Sequence, residues 1–262
     1  MEKKELYFDW RIYGGTTLAA DLPEAYPGGP SHKKGSPIYP IMKSCNQDGN
    51  SFSFIGPSVP ALAINIAIKS AKEASKQQKR IFYNRIVSPK GYSLNVTPQN
   101  THILYDFFES FMVSLTFSIQ AIEIFCNTVI AHNLKKRTIP VPIDKKVKHY
   151  NSQQLQKSFG IEYKLNEILP KILKINSLNV ENKEIWDHFL ELHRIRNRIT
   201  HMKTEDFNFN DSKKETLFYE FFKNDPKLLP KTALELINYF SEGVNNLDWI
   251  ESANSYLDQE EY

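Results

Sequence analysis

KEIWDHFLELHRIRNRITH, residues 183–201, sets Ile185, Phe189, Leu192, Ile195 and Ile199 at three- and four-residue intervals. That spacing predicts an amphipathic helix from Lys183 to His201 with one apolar stripe. Two histidines and three arginines crowd its last nine positions. With Arg196 at zero on a wheel of about 100° per residue, the stripe of Ile185, Leu192 and Ile199 centres near −40°. His193, Asn197, Thr200 and His201 then fall between roughly +40° and +140°. Arg196 therefore borders the buried face and His201 points away from it. Five residues apart, the two do not stack on an ideal helix. A second chain or a fraying helix end would bring them together more easily.

Upstream, Thr97-Pro98 supplies an N-cap and a first-turn proline, so a long helix is expected from there to about Asn133. Its apolar positions include Leu104, Phe108, Phe111, Leu115, Ile119, Ile122 and Val129. Glu109, Thr116, Gln120, Glu123 and Asn127 form a thin polar stripe along it, which taken alone is the wetted face of an amphipathic helix. Lys135, Lys136 and Arg137 stand where cations favour a helix C-terminus. TIPVPID reads as a linker because its two prolines forbid helix. A helix is expected over 161–173, ended or kinked by Pro170, with two more over about 214–223 and 230–257.

From Thr97 onward the chain thus reads as all-α and bundle-like. The first 60 residues differ, holding seven of the ten glycines and half of the prolines. They are expected to be irregular or short-stranded, yet Trp10, Ile12, Phe52, Phe54 and Ile55 are groups that want burial. A basic helix over 61–87 and SPKGYSLNV, a loop or a loop with a short strand, complete this part. The expected organisation is an irregular Pro/Gly-rich N-terminal extension with one helix, residues 1–96, wrapping a mainly α domain, residues 97–262.

A composition of 41% hydrophobic and 24% charged residues is that of an ordinary globular chain. No uninterrupted apolar run approaches the roughly 20 residues of a membrane span, and MEKKELYFDW lacks a signal-peptide core. Cys45 and Cys126 are too few and too far apart for a disulfide framework. These features favour a cytoplasmic protein with no membrane partner. The net charge of +3 decides little, but ten Lys/Arg between Lys135 and Lys174 oppose only Asp144, Glu162 and Glu167. A second basic run, from Lys69 to Arg85, is opposed only by Glu73. Such patches can track a phosphate backbone, or they can be solvated faces.

Arg196-Asn197-Arg198-Ile199-Thr200-His201 reads RNxxxH, which resembles the signature of HEPN domains, the higher eukaryote and prokaryote nucleotide-binding helical domains. That pattern is an Arg, usually a polar residue after it, and a His four to six positions beyond the Arg. The resemblance extends to AIEIFCN on the long helix, where HEPN domains commonly carry an acidic residue and a following polar one, as Glu123 and Asn127 would be. It covers residues 97 to 255 and implies a HEPN-like helical bundle that cuts RNA without a metal or cofactor. It also implies homodimers in which two such motifs face each other, and a setting as a toxin or phage-defence effector with a neutralising or activating protein partner.

The chemistry suits those residue types. RNA carries its own nucleophile, the 2′-hydroxyl, so cleavage needs proton transfer and stabilisation of the phosphorane. His201 is the expected general base or acid, Arg196 the phosphate clamp and Asn197 the orienting residue. Glu123 is placed to hold Arg196 or His201 through a charge-assisted hydrogen bond, with Asn127, His193 and Thr200 in support. Lys135, Lys136, Arg137, Lys145, Lys146 and Arg198 are the expected RNA contacts. The sequence holds no HExxH or CxxC, hence no expected metal, and no P-loop or GxSxG. GGPSHKKG (28–35) is either a phosphate cradle or an ordinary turn-rich loop. Two other readings stand beside the nuclease: a non-catalytic HEPN module that binds nucleotide or RNA, and a structural dimer module whose RNxxxH helix supplies interface salt bridges.

Overall fold

The computed structural model describes residues 9–12, 16–24, 31–83, 85–88, 91–94, 96–143, 146–207, 216–241, 244 and 249–259. The Gly/Pro-dense start forms two antiparallel ribbons: β1 (Thr16–Thr17) with β2 (Pro37–Ile38), and β3 (Ile41–Cys45) with β4 (Ser51–Ile55). Helix α1 (Val59–Tyr83) follows, then the hairpin β5 (Arg85–Ser88) and β6 (Gly91–Leu94), then α2 (Thr101–Leu134). The α1–α2 packing is the most extensive between any two elements. Ala61, Ile64, Ala67, Ile68, Ala71 and Ala74 of α1 are fully buried. Small residues on this face let α1 approach α2 closely enough for Ser114 Oγ to donate to the Ala67 carbonyl at 2.9 Å. The helix expected to belong to the N-terminal extension therefore shares one core with the helix expected to open the next domain.

The mainly α class holds. Several boundaries differ, for local reasons. The long helix starts at Thr101 rather than Thr97, because Asn100 Oδ1 accepts from the Thr97 amide and closes a turn before the first helical residue. TIPVPID is no linker: β7 (Thr138–Ile143) pairs antiparallel with β8 (Lys146–Asn151). Pro140 and Pro142, two residues apart, turn their ring nitrogens toward the same free edge and cost the ribbon no hydrogen bond. The Pro140 carbonyl on that edge accepts from Lys171 Nζ at 2.5 Å.

A capping box of Asn151 and Gln154 then opens α3 (Ser152–Ser158). The helix expected over 161–173 is continuous but changes pitch: α4 (Ile161–Tyr163), a π segment (Lys164–Ile168) and α5 (Leu169–Leu173). Pro170 has no N–H to give to the preceding turn, and the widened π turn is the distortion that accommodates it.

After α6 (Leu178–Glu181), α7 (Lys183–Thr200) is capped by the Asn182 side chain and buries Phe189, Leu192 and Ile195. A 3₁₀ turn (Thr204–Phe207), α8 (Leu217–Lys223), α9 (Leu228–Tyr239) and α10 (Trp249–Asp258) complete the bundle. The single helix expected over 230–257 is thus two. Phe111 of α2 stacks on Phe221 of α8 at 4.7 Å between centroids, and Phe107 on Phe222 at 5.1 Å. These rings fix α8 across α2, while α9 packs against α1, α2 and α7.

Although charged and polar residues interrupt it, α2 contains an 18-residue window of mean hydropathy 1.5, long and apolar enough to cross a membrane. In this fold 56% of that window is buried inside the bundle. That is how a central core helix distributes its apolar surface.

Candidate functional site

Helix α7 carries its charge on two separate sides. Arg194 and Arg198, one turn apart, face α8 and the 3₁₀ turn. Glu220 Oε1 accepts from Arg194 at 2.7 Å and from Arg198 at 3.1 Å, and Glu191 and Asp206 complete the network. Glu220 and Asp206 are buried, whereas the Arg194 and Glu191 side chains are 45% and 39% exposed, so the network runs from the core out to the surface. Burial pushes the Asp206 carboxyl up, but the Arg198 guanidinium and the Lys203 amide hold it below its ordinary value. Hydrogen bonding from Arg194 likewise lowers Glu191, and Glu191 in turn raises Arg194. Arg198, expected to contact RNA, is therefore half-buried and held by carboxylates instead.

The other side of α7 brings together three of the expected residues. His193 Nδ1 lies 2.8 Å from Glu162 Oε1 of α4, its ring stacked on Phe189 at 5.6 Å. With Nδ1–H donating to that carboxylate, Nε2 is the free lone pair and accepts from Asn197 Nδ2 at 3.4 Å. Asn197 Oδ1 accepts from Arg196 at 3.1 Å. Arg196 is half-buried and, among the described residues, in no ion pair. The helix thus presents one unneutralised guanidinium beside a histidine polarised by a carboxylate.

Thr200 turns its hydroxyl back to the Arg196 carbonyl at 3.0 Å, a helix-internal bond that contributes nothing to the cluster. His201 is the exposed C-cap residue of α7, its backbone N–H bonded to the Asn197 carbonyl. One chain does not close Arg196 and His201 into a pair, as the helix geometry anticipated.

Glu123 and Asn127 do meet a cation, but a different one from those expected. Lys164, on the π segment, is fully buried. Its Nζ donates to Asn127 Oδ1 and to the Gln156 carbonyl, both at 2.9 Å, and sits 3.5 Å from Glu123 Oε1. Glu123 therefore anchors Lys164 rather than Arg196 or His201. The ammonium ties α2, the end of α3 and the π segment into one node, two residues from Glu162.

Sequence reasoning missed both Glu162 and Lys164. Lys164 was detectable, since it falls on the stripe of Ile161, Leu165 and Ile168, all buried, where a lysine is anomalous unless paired. Cys126, beside Asn127, is buried, which pushes its thiol up to about 12 and leaves it inert as a nucleophile.

Of the expected RNA contacts, Lys135, Lys136, Arg137 and Lys146 are exposed around the β7–β8 hairpin. Lys145 lies outside the described residues. In the GGPSHKKG stretch, Asp21 takes both the Lys33 ammonium at 3.0 Å and the Lys34 amide at 2.7 Å. The chain's own carboxylate thus occupies the anion position suggested for a phosphate. Among the described residues no group of three or more His, Cys, Asp or Glu is arranged to hold a metal ion. No protein-family model, curated protein or solved structure matches this chain.

Proposed function

We propose that this protein is a metal-independent endoribonuclease with a HEPN-like architecture, acting as a homodimer. The observation that carries this reading is Arg196. It is the one arginine of the motif outside the carboxylate network among the described residues, and it is held by Asn197 next to His193. A guanidinium so placed fits two non-bridging oxygens of a phosphodiester. It would gain most as charge develops on the phosphorane.

In the reaction, a histidine takes the proton from the 2′-hydroxyl, the 2′-oxygen–phosphorus bond forms, and the bond from phosphorus to the 5′-oxygen breaks. A second histidine protonates the departing 5′-oxygen, leaving a 2′,3′-cyclic phosphate and a 5′-hydroxyl. His193 and His201 are the two candidates on α7. Eight residues separate them, about 12 Å along the helix axis. Two copies of α7 meeting near a two-fold axis would place His201 of one protomer at Arg196 of the other. A toxin or phage-defence setting, with a protein that neutralises or activates the site, fits a general RNA-cutting activity that a cell must restrain. The Arg194–Glu220–Arg198–Asp206 network, anchored on two buried carboxylates, favours a second reading for that face alone, as a structural support of the helix.

The test is cleavage of total RNA in EDTA by the intact chain, by Arg196→Ala, by His201→Ala and by a refolded mixture of the two variants. Each variant alone should be inactive. The mixture should recover activity, because a mixed dimer rebuilds one complete site. Variants as active as the intact chain, or strict dependence on magnesium, would sink the reading.

A further inference from the structure

We infer that the β7–β8 hairpin is a docking track for single-stranded RNA that leads to the Arg196 face of α7. The inference rests on the RNA-cutting reading for its direction, but its binding claim stands on separate observations.

Two basic stretches stand out in the sequence, and the structure separates them. On α1, Lys72 is buried over the Tyr256 ring at 4.3 Å, Lys76 pairs with Glu73, and Arg80 donates to Gln77. Within that run Lys72, Lys76 and Arg80 are thus engaged with neighbouring side chains, while Lys69 and Lys79 stay exposed. The stretch 135–161 carries Lys135, Lys136, Arg137, Lys145, Lys146, Lys148 and Lys157 against Asp144 alone. Lys135, Lys136, Lys146, Lys148 and Lys157 are exposed and in no ion pair among the described residues. A ribbon with this charge attracts a polyanion.

The hairpin is fixed to the body rather than loose. Val141 is buried and Lys171 clamps the Pro140 carbonyl. Its last strand also starts a chain of rings. Tyr150 of β8 meets Phe159 edge-on at 5.1 Å, and Phe159 stacks on Tyr163 at 4.9 Å, each ring half-buried. Tyr163 adjoins Glu162, the partner of His193. Phosphate-seeking ammoniums next to partly open aromatic rings are what an unpaired strand requires, since its bases are free to contact the rings. A duplex would offer phosphates but no base faces.

The experiment measures binding of the full chain to a labelled single-stranded RNA methylated at every 2′-oxygen, which cannot be cut by 2′-attack. Lys146→Glu/Lys148→Glu should weaken binding about tenfold or more and reduce the slope of log K against log salt by about 1.4. Lys136→Glu/Lys157→Glu, which leaves the hairpin strands untouched, should act similarly. Tyr163→Ala should weaken binding about tenfold with an unchanged salt slope. Lys76→Glu/Lys79→Glu on α1 should stay within about twofold of the intact chain.

Equal losses from the α1 and hairpin variants would overturn the proposal, as would equal affinity for duplex RNA. So would binding to anionic lipid vesicles, but not to RNA, through the same lysines. The two readings fail separately. Hairpin-dependent binding without any cleavage of natural RNA would remove only the nuclease, and cleavage indifferent to the hairpin would remove only the track.

Discussion

Arg194 and Arg198 on one side of α7 and Arg196 on the other carry the same guanidinium into opposite surroundings. The first two meet Glu191, Glu220 and Asp206, two of them buried carboxylates. Among the described residues, Arg196 hydrogen-bonds only to the Asn197 amide oxygen, next to a histidine. The alternation follows from helix geometry: residues i and i+4 share a side, and i+2 falls about 200° away. A run of RxRxR on a helix therefore divides its cations, so one helix can support a core network and still present a free charge. Charge count along the sequence does not measure charge available to a ligand.

The sharpest way to break this comparison is to exchange the consequences. Arg196→Ala should lower RNA cleavage by about 100-fold or more, the size expected when a donor to a developing oxyanion is lost. Its stability should stay within about 0.5 kcal/mol, because no buried partner is stranded. Arg198→Ala should do the reverse. It leaves the buried Asp206 without its guanidinium, at a cost of about 3 kcal/mol or more. Urea unfolding and a single-turnover cleavage assay on both variants decide the matter. Equal stability losses would mean that the two sides are not distinct.

The next largest effect concerns Lys164. Lys164→Met keeps the aliphatic stem but leaves the Gln156 carbonyl and Asn127 unpaired, which should cost about 1–3 kcal/mol. Glu123→Gln should cost less, about 1 kcal/mol, because the Glu123 side chain is 45% exposed and its charge is partly screened. If instead Glu123→Gln is the more damaging of the two, the buried ammonium depends on that carboxylate more than on its two carbonyl-type partners.

The helix class, the span of α7, and the open face with Arg196 at its edge were legible because each follows from a local period. So was the separation of His201 from Arg196. Partners were not. Glu123 and Asn127 stood out as a polar stripe, yet nothing in α2 says that a lysine from the π segment 37 residues beyond Asn127 completes them. Arg198 looked like a surface cation until α8 brought Glu220 to it. TIPVPID defeated the pattern reading because proline excludes helix but not the free edge of a ribbon. Local period gives elements and faces, whereas pairing across elements is set by tertiary packing.

The smallest expected difference between the two sides of α7 is their response to acid. Asp206 and Glu191 both titrate below their ordinary values in the folded chain, Asp206 through Arg198 and the Lys203 amide against its burial, Glu191 through Arg194. A carboxyl lowered on folding adds stability that is complete above its unfolded pKa, about 4, and is lost as pH falls through the folded value. Urea midpoints should therefore be flat between about pH 7 and 5 as far as these groups are concerned, then decline below about pH 4. Asp206→Asn should lower the midpoint at neutral pH and shallow the decline below about pH 4, since one of the linked protons is gone. Arg196→Ala, which touches neither of these carboxylates, should leave that acid limb as steep as in the intact chain. An Asp206→Asn variant with an unaltered acid limb would show that the paired arginines do not store stability in this network, and the two sides of α7 would then differ in geometry alone.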